Sequence, residues 1–493
     1  MKRYFLGIDI GTFESRGILI DESFRVAADA SLPHGMNNPQ PGWFEQEAEA
    51  VWWGDLCKLC RTLIKQSGIR PEQIACVGTS ALGTDCLPVD EQCRPLRPAI
   101  LYGIDARASE EAAWLTEHYG QARVQELFGH PICSGDTATK ILWLRRHEPE
   151  IYAKTAYFLT GSSFLTARLT GKYVIDQSLA KGSFRPLYQA DGGVNEAECG
   201  LYCRPDQIAA CAWSTDIVGT VTPEAAAQTG LAAGTPVITG TGDSTAEAIS
   251  VGLVEPGTAF FQYGSSMFYY YCTDHFVGSY VSPQGNGALK GGKAFTVPGT
   301  YCLGDGTNAA GTLTRWVRDL LYSKELDAEK QGGENAYAVM AREAAAVPPG
   351  SDGLIMLPYI YGERSPLQDA EATGMLFGLK GTHGRAQINR AALEAVGYST
   401  YQHLLLFEEL GVPPRRIITA GGGTKNAAWM QIICDMAGMP LTIPEPFQCS
   451  SYGDAMLAAL GVGALESFAA LRAALPQGRI LQPDRKNHEF YQE

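Results

Sequence analysis

Glycines and hydroxyl side chains occur together at three points where a strand-like pattern ends in a turn, and a carboxylate accompanies them at the first two. The first point is LGIDIGTFESRGILID, residues 6–21, in which Asp9 precedes Gly11, Thr12 and Ser15. Backbone N–H groups and hydroxyls in such a turn form a concavity that binds anions, and a carboxylate beside it can hold Mg²⁺. A surface hairpin with Gly and Thr present only for the turn explains the same residues equally well.

The second point is TGTGDSTAEAISVG, residues 239–252, where Asp243 follows a β-rich run and precedes a pattern of small helical residues. The carboxyl end of a strand is where α/β proteins bind ligands. A carboxylate there can accept a proton from a substrate hydroxyl. Asp is also a favoured helix N-cap residue, so the sequence leaves both roles open for Asp243.

The third point is TAGGGTKNAAWMQIICDMAG, residues 419–438, with three glycines between a strand and a helix. These glycines would let a flat molecule lie against the backbone, within reach of Lys425 and Asn426, although a tight connection is the alternative. The chain has no GxxxxGK[ST] loop and no convincing GxGxxG turn at a strand-to-helix junction. A dinucleotide redox enzyme is therefore disfavoured, and any nucleotide is bound in another way.

Strand-like runs alternate with helical patterns along the chain, which predicts an α/β fold. The clearest β-rich runs are residues 74–80, 235–242 and 416–423, and apolar residues recur at helical spacing over residues 387–411. The last 30 residues, 464–493, are expected to form a short helix followed by an extended end. These elements must bring the three points together for any chemistry to occur.

A chain of 493 residues is too long for one ordinary core, and two domains of about 200–250 residues fit the usual size range. The stretch GTAFFQYGSSMFYYYC, residues 257–272, has a second hairpin-like pattern with Gly and Ser at its turn. It resembles the opening hairpin in kind and indicates two similar lobes. The predicted domains are residues 1–250 and 251–493.

The composition excludes several classes of partner. A net charge of −14 argues against a nucleic-acid or anionic-membrane surface. Thirteen scattered cysteines indicate a reducing cytoplasm rather than a disulfide scaffold. Cys57 and Cys60 form the only CxxC, which fits one face of a helix. No stretch approaches the ~18 apolar residues of a membrane-spanning helix, so we expect a cytoplasmic protein without a membrane partner.

Taken together, these stretches resemble the FGGY carbohydrate kinases, the family of glycerol kinase, xylulokinase and ribulokinase. The resemblance runs over nearly the whole chain, and segment 374–394, GMLFGLKGTHGRAQINRAALE, fits the second signature of that family. The other matching stretches, in order, are GIDIGT (7–12), PGWFEQ (41–46), KILWLRRHEP (140–149), ARLTGKY (167–173), GTGDSTAEA (240–248), QYGSSMF (262–268), GTNAAGTLTRWVRDL (306–320), PYIYGERSP (358–366) and AGGGTKNAAWMQIICD (420–435).

The resemblance implies a fold of two actin-like, RNase H-like ATPase lobes with an active-site cleft between them. It implies that Asp243 deprotonates a sugar hydroxyl, which attacks the γ-phosphate of ATP, and that Asp9 and Asp243 help place Mg²⁺. The residues it assigns to the nucleotide are Gly11, Thr12, Ser15 and Arg16 in the first lobe, with Gly264, Ser265, Gly311, Arg315, Gly422 and Asn426 in the second.

The sequence departs from the family where the sugar should bind. Xylulokinases have GQMHG where this chain has ALGTD, residues 81–85. Tyr102 stands at a position where the family has Trp, and Ser244 stands where xylulokinases often have Asn. Strict D-xylulose specificity is therefore not expected. The candidate substrate-binding residues are Gly83, Thr84, Asp85, Tyr102, Asp243 and Ser244.

Other charged residues are interpreted as having no catalytic role. Glu14 would repel a triphosphate, so it is expected to point away from one, or toward a metal or another cation. Asp105 with Arg107, and Glu363 with Arg364, are interpreted as structural groups.

The sequence thus predicts an ATP- and Mg²⁺-dependent kinase for a ketopentose such as xylulose or ribulose, or for a related ketose or polyol. The alternative is a non-kinase actin-like ATPase with a nucleotide-gated binding or regulatory role. The expected partner is a small-molecule sugar or polyol, and a homodimer is one possible assembly. The sugar, the hydroxyl that is phosphorylated and the regulation are not specified by the sequence.

Overall fold

The computed structural model describes residues 3–445 and 449–493. By contacts between residues the chain forms two compact units. Unit 1 comprises Met1–Val254, Lys293–Thr300 and Gln448–Leu475, and unit 2 comprises Glu255–Gly292, Tyr301–Phe447 and Pro476–Glu493. Each unit has its own apolar core.

The strands are short to medium in length and occur in both units. In chain order they are β1 (Tyr4–Ile10), β2 (Glu14–Asp21), β3 (Val26–Pro33), β4 (Glu45–Gln46), β5 (Ile74–Ala81), β6 (Leu87–Val89), β7 (Ala99–Ile100), β8 (Tyr157–Leu159), β9 (Val174–Asp176), β10 (Ala210–Ala212), β11 (Ile217–Thr220), β12 (Pro236–Ile238), β13 (Thr241–Gly242), β14 (Thr258–Tyr263), β15 (Met267–Thr273), β16 (Tyr280–Val281), β17 (Ala288–Leu289), β18 (Lys293–Ala294), β19 (Tyr301–Gly306), β20 (Ile355–Leu357), β21 (Met375–Phe377), β22 (Arg416–Ala420), β23 (Leu441–Ile443) and β24 (Arg479–Leu481).

The α-helices alternate with these strands. They are α1 (Gly54–Ser67), α2 (Ser109–Leu127), α3 (Thr137–His147), α4 (Pro149–Lys154), α5 (Gly161–Thr170), α6 (Gln177–Ala180), α7 (Glu196–Tyr202), α8 (Pro223–Thr229), α9 (Asp243–Ser250), α10 (Gly311–Leu321), α11 (Ser323–Lys330), α12 (Ala336–Ala345), α13 (Arg385–Glu409), α14 (Ala427–Ala437), α15 (Ser450–Gly461), α16 (Phe468–Ala474) and α17 (Arg485–Gln492).

The main sheet of unit 1 has the strand order β11-β12-β5-β1-β2-β3, and β13 also pairs with β5. Strands β1 and β2 form the predicted antiparallel hairpin. Strands β5, β12 and β13 lie where β-rich runs were predicted, and β5 runs parallel to β1, β12 and β13. The carboxyl ends of these parallel strands therefore meet at one edge of the sheet.

The main sheet of unit 2 repeats this pattern. Its strands run in the order β19-β15-β14-β22-β23-β24. The predicted second hairpin is formed by β14 and β15, and β22 runs parallel to β14. Helix α13 spans the predicted helical segment and is largely buried. Two α/β units, each built on a hairpin beside a parallel strand, agree with the predicted fold class.

The last helices of unit 1 follow a long passage of chain through unit 2. Helix α15 packs on β1 and β5, where an added Cβ at Gly7 would lie 1.8 Å from the Ser451 carbonyl oxygen. An added Cβ at Gly78 would lie 2.4 Å from the Asp454 carbonyl oxygen. The two glycines thus let the helix backbone approach the sheet closely. Each unit is therefore built from several segments of the chain, whereas the predicted domains, residues 1–250 and 251–493, are continuous. The predicted boundary at residue 250 stays a prediction.

The prediction for the chain end is wrong in its last part. A short helix, α16, is present, but the chain then forms β24 and ends in helix α17 rather than in an extended segment. The Asp484 carboxylate caps α17 by accepting from the Asn487 N–H at 2.9 Å, and buried Tyr491 donates to Glu394 at 2.7 Å. Among the residues described, no helix is long and apolar enough to span a membrane.

Candidate active site

The carboxyl ends of β1, β5 and β13 carry the polar residues of the candidate catalytic site. Asp9 on β1 lies opposite Ser80 on β5, and Ser80 lies opposite Thr241 on β13. Asp243 follows directly as the first residue of α9. The strand register, and not proximity in sequence, therefore places Asp9 and Asp243 at the same edge of the sheet.

One hydroxyl connects two carboxylates at this edge. The Ser80 hydroxyl lies 2.8 Å from Asp9 Oδ1 and 2.7 Å from Asp454 Oδ2. A hydroxyl has one proton to donate, so it can donate to only one of two ionised carboxylates. Asp454 is fully buried, and within the described chain its Oδ1 has no hydrogen-bond partner.

Burial raises the pKa of both Asp9 and Asp454 well above the usual range, and the Asp243 charge raises both further. Glu247 also raises the pKa of Asp9, and Asp9 raises that of Asp454. The Ser80 hydroxyl opposes this effect. For Asp9, the Arg16 charge also favours the ionised form. The edge is thus an acidic cluster in which a cation or a proton relieves repulsion.

Asp243 is not the N-cap of its helix, because Gly242 occupies that position. Its Oδ1 accepts from the Ser244 backbone N–H at 2.7 Å and from the Ser244 hydroxyl at 3.1 Å. Burial raises the pKa of Asp243, while these bonds and the Lys293 charge favour ionisation. A carboxylate with a raised pKa at a partly exposed position suits a general base.

Of the residues predicted to bind phosphate in the first hairpin, Gly11 and Thr12 remain candidates and the Ser15 side chain does not. Gly11 closes the turn by donating its N–H to the Glu14 carbonyl at 3.0 Å, and the Thr12 hydroxyl lies 3.2 Å from the Tyr102 hydroxyl. Ser15 is different, because it is fully buried and donates to Asp55 at 3.1 Å. Its side chain supports the hairpin and is not available to a phosphate, which corrects the prediction.

Two charged residues flank this turn. Arg16 lies opposite Asp9 in the hairpin, and its guanidinium is 3.5 Å from Asp29 with 38% of the side chain exposed. Its cation is therefore accessible beside the turn. Glu14 is exposed at the start of β2.

The predicted sugar residues lie together in unit 1. An added Cβ at Gly242, next to Asp243, would lie 3.6 Å from Gly83 Cα. Asp85 is fully buried, and a hydrogen bond from the Tyr102 backbone N–H favours its ionised form. Burial raises its pKa well above the usual range, the nearby Lys140 charge lowers it, and the Asp243 charge raises it. The turn around Thr84 thus adjoins the start of α9.

Lys140 is a residue whose importance the sequence did not reveal. It is fully buried, and its ammonium donates to the carbonyls of Thr84 at 2.6 Å and Gly135 at 2.9 Å. It therefore ties the Gly83–Asp85 turn to the segment that precedes α3. The only indication in the sequence was a lysine within an apolar helical pattern. Such a lysine is normally interpreted as lying on the exposed face of a helix.

The two charged pairs interpreted as structural have buried partners. Arg107 is fully buried, binds Asp105 at 2.8 Å and also contacts Glu45 at 2.8 Å. Glu363 accepts backbone N–H groups from Asn308 at 2.9 Å and from Arg364 at 2.8 Å. Burial raises the pKa of Glu363 to about 7.

The second group of predicted residues lines one cavity of about 460 Å³ in unit 2. Its walls come from the β14–β15 turn, the start of α10, helices α12 and α13, and the glycine-rich segment before α14. The predicted nucleotide residues among the lining are Gly264, Ser265, Gly311, Arg315, Gly422 and Asn426. All six predicted residues of unit 2 thus meet in one concave site of the size that small ligands occupy.

The cavity combines backbone donors with flat apolar walls. An added Cβ at Gly311 would lie 2.5 Å from the Gly264 carbonyl oxygen, so the two turns touch through their backbones. The Asn426 side chain caps α14 by accepting the Trp429 N–H at 3.1 Å. Tyr337 and Met340 complete an apolar wall. Glycine turns beside a flat apolar wall suit a nucleotide.

Comparison with known proteins agrees with this architecture. Residues 4–250 match the model of the N-terminal domain of the FGGY family of carbohydrate kinases, and residues 263–462 match its C-terminal domain. The chain is 29% identical to the xylulose kinase of Escherichia coli (strain K12), over 99% of this chain and 96% of that protein. It is 29% identical to the gluconokinase of Bacillus subtilis (strain 168), over 96% and 90%.

A solved structure shows the same fold. The xylulose kinase from Rhodospirillum rubrum superposes with a TM-score of 0.88 at 28% identity, covering 99% of this chain and 96% of that one. The fold and the family matches define a phosphotransferase of the actin-like ATPase class.

The chain belongs to the FGGY family of carbohydrate kinases. It is an enzyme that transfers a phosphate from ATP to an alcohol group of a small-molecule sugar. The alternative of a non-kinase actin-like ATPase is not supported, because both family domains are matched.

Proposed function

We propose that Asp243 is the general base that takes the proton from the sugar hydroxyl as that hydroxyl attacks the γ-phosphate of ATP. The observation that supports it most strongly is the position of Asp243 at the carboxyl edge of the sheet beside Asp9. Its raised pKa brings proton affinity closer to the operating pH, which favours general-base catalysis. Ser244 holds the carboxylate in place through the two bonds described above.

For the nucleotide, we propose that the unit 2 cavity accepts ATP. Gly311 and Gly422 border the cavity, and Arg315 adds a cation to its lining. Gly264 and Ser265 are assigned to the phosphates, together with Gly11, Thr12 and Arg16 of unit 1. This set supplies backbone donors and cations for a polyphosphate.

Mg²⁺ is proposed as the metal, with Asp9 and Asp243 as its carboxylate contributors. Within the described residues, no group of three or more acidic, histidine or cysteine side chains could hold a metal ion. Mg²⁺ does not need one, because it is commonly bound by one or two carboxylates together with waters and substrate phosphates. The repelling buried carboxylates fit such an ion, which would neutralise phosphate charge when bound.

The proposed acceptor is a ketopentose such as xylulose or ribulose, or a related ketose or polyol. Support comes from relatives named xylulose kinase and from the Gly83–Asp85 turn, which adjoins the start of α9. We assign Thr84, Asp85 and Tyr102 to the sugar hydroxyls. The altered turn at residues 81–85 argues against assuming D-xylulose. A homodimeric assembly and a cytoplasmic location remain predictions.

The test is coupled ADP release from wild type and Asp243→Asn across ketopentoses, hexuloses, glycerol and other polyols. We expect the variant to lose about 10²–10⁴-fold in sugar-dependent kcat/KM, the usual contribution of a general base. Binding of a fluorescent ATP analogue without Mg²⁺ should be retained, because the proposed ATP cavity lies in unit 2 and Asp243 is assigned to the metal and to proton transfer. Asp191→Asn, on an exposed loop, is the matched control. Undiminished sugar-dependent turnover in Asp243→Asn would refute the mechanism.

A further inference from the structure

Gln46, the last residue of the PGWFEQ stretch, is a buried amide with a hydrogen-bond partner at each end. It lies on β4 with 1% of its surface exposed, and its Nε2 donates to the Thr12 carbonyl at 2.9 Å. Its Oε1 accepts the indole N–H of Trp52 at 2.8 Å. An indole nitrogen only donates, so Trp52 determines which end of the amide faces Thr12. Because Trp52 is fully buried, the amide is anchored to the core of unit 1.

The Thr12 carbonyl belongs to the turn that joins β1 and β2. The following carbonyl, that of Phe13, accepts the His34 N–H at 2.9 Å. Both carbonyls of the turn are therefore held by chain segments outside the hairpin. Within residues 3–445 and 449–493, by contrast, the N–H groups of Thr12 and Phe13 have no hydrogen-bond acceptor.

The bond to Gln46 determines where one of these donors points. A trans peptide unit directs its C=O and its N–H to opposite sides. With the Thr12 carbonyl held by Gln46, the N–H of Phe13 is directed to the other side of the turn, where it stays unpaired. Unpaired N–H groups at successive positions of a turn bind anions such as phosphate.

The side chains of the turn do not fix this conformation by packing. Phe13 is 63% exposed, and Glu14 is exposed as well. The Thr12 hydroxyl lies 3.2 Å from the Tyr102 hydroxyl, a contact that positions the side chain rather than the peptide group. The orientation of the peptide between Thr12 and Phe13 thus depends on the Gln46 amide.

We propose that Gln46 is a positioning residue for phosphoryl transfer. It holds the Thr12 carbonyl so that the N–H of Phe13 donates to a phosphate oxygen of ATP. The inference rests on the proposed assignment of Gly11 and Thr12 to the phosphates, and it adds a residue that contacts neither substrate. A neutral amide suits this role, because it supplies a donor without bringing a negative charge near the triphosphate.

The experiment compares Gln46→Met with Gln207→Met in coupled ADP release. Gln207 is a matched control, because it is also buried, donates to the Thr155 carbonyl at 2.8 Å and accepts the Arg204 N–H at 2.9 Å, between α7 and β10. Methionine keeps the length of the side chain, and each substitution leaves one donor and one acceptor unpaired. The acceptor is whichever of D-xylulose, D-ribulose and glycerol gives the highest wild-type rate.

Both variants should have a lower melting temperature, but only Gln46→Met should lose activity. We expect its kcat to fall about tenfold or more, because small displacements of a reacting group are costly in rate. The KM for the acceptor should stay unchanged, and Gln207→Met should keep the wild-type kcat. A purely structural role for Gln46 predicts no such difference between the two variants.

A measurement on the wild type is independent of how the variants fold. Hydrogen exchange at the Phe13 amide should become slower when Mg²⁺ and the non-hydrolysable ATP analogue AMP-PNP are added, because the N–H then has an acceptor. In Gln46→Met this protection should be reduced.

A wild-type kcat in Gln46→Met, or an equal loss of kcat in Gln207→Met, would overturn the inference and leave the kinase function intact. Unchanged exchange at Phe13 in the nucleotide-bound wild type would also overturn it. If no acceptor in the panel used for Asp243→Asn increased ADP release by the wild type, the proposed function itself would fail and the inference with it.

Discussion

Replacing Asp454 by Asn should stabilise the protein, and the gain should grow as the pH rises. Asp454 is fully buried, its Oδ1 is unpaired in the described chain, and Asp9 and Asp243 repel its charge. All three effects favour its protonated form in the folded state. Asn keeps the shape and can still hydrogen-bond to Ser80, but it cannot ionise.

The magnitude follows from the raised pKa. The folded state binds the Asp454 proton more tightly than the unfolded chain, whose carboxyl pKa is about 4. Between that value and the folded-state pKa, the unfolded state holds fewer protons, so stability falls as pH rises. The loss is about 1.4 kcal/mol per pH unit per group. Over the pH range in which the folded state keeps this proton and the unfolded chain has lost it, the stability of Asp454→Asn relative to the wild type should therefore rise with pH.

The assay is urea unfolding of the full chain at pH 5, 6 and 7, under reducing conditions and without Mg²⁺. Buried His403, whose pKa is lowered to about 4, is present in both proteins. Its effect on stability has the opposite pH dependence, because the folded protein loses stability as the pH falls below the unfolded-state histidine pKa of about 6.5. Since both proteins contain His403, this effect cancels in the difference between them. Asp191→Asn controls for loss of a surface charge. A stability difference that stays constant over this range would refute the assignment of a protonated Asp454.

Two further predictions concern the hairpins. Ser15→Ala removes a donor to buried Asp55, so the free energy of unfolding should fall by about 1–3 kcal/mol. The KM for ATP should stay unchanged. A raised KM with unchanged stability would instead indicate that the Ser15 side chain contacts the nucleotide. Gly311→Ala places a methyl group against the Gly264 carbonyl, so the KM for ATP should rise about tenfold or more and the melting temperature should fall. Gly422→Ala, whose Cβ would meet no atom within 4 Å, should keep the wild-type melting temperature.

Local patterns were sufficient for the framework of the fold. The two hairpins and helix α13 were predicted because alternation and helical spacing are properties of contiguous residues. The glycine-rich points were found for the same reason, since a turn needs its residues in sequence. The end of the chain was predicted wrongly because α17 depends on its cap at Asp484 and on the packing of Tyr491, which the polar pattern of that segment did not reveal.

The site was only partly predictable, because its members meet through sheet register. Asp9 and Asp243 were chosen from their positions at strand ends, and their roles remain proposals. Asp454 gave no signal, since it lies in a helical pattern of small residues more than 350 residues after Ser80. It reaches Ser80 only because Gly7 and Gly78 let α15 lie against the sheet. Ser15 was misassigned because a hydroxyl in a turn sequence can face either side of the strand.

The cluster of carboxylates at the edge of the unit 1 sheet is better explained by a catalytic role than by a contribution to folding stability. Asp9, Asp243 and Asp454 repel one another in a buried setting, and their raised pKa values mean that each opposes folding above pH 4. One Ser80 hydroxyl cannot donate to Asp9 and to an ionised Asp454 at the same time. If Asp454 holds a proton, it can donate to Ser80, which then donates to Asp9. That order leaves Asp9 as the carboxylate that stays ionised beside the base, as a residue assigned to Mg²⁺ must be.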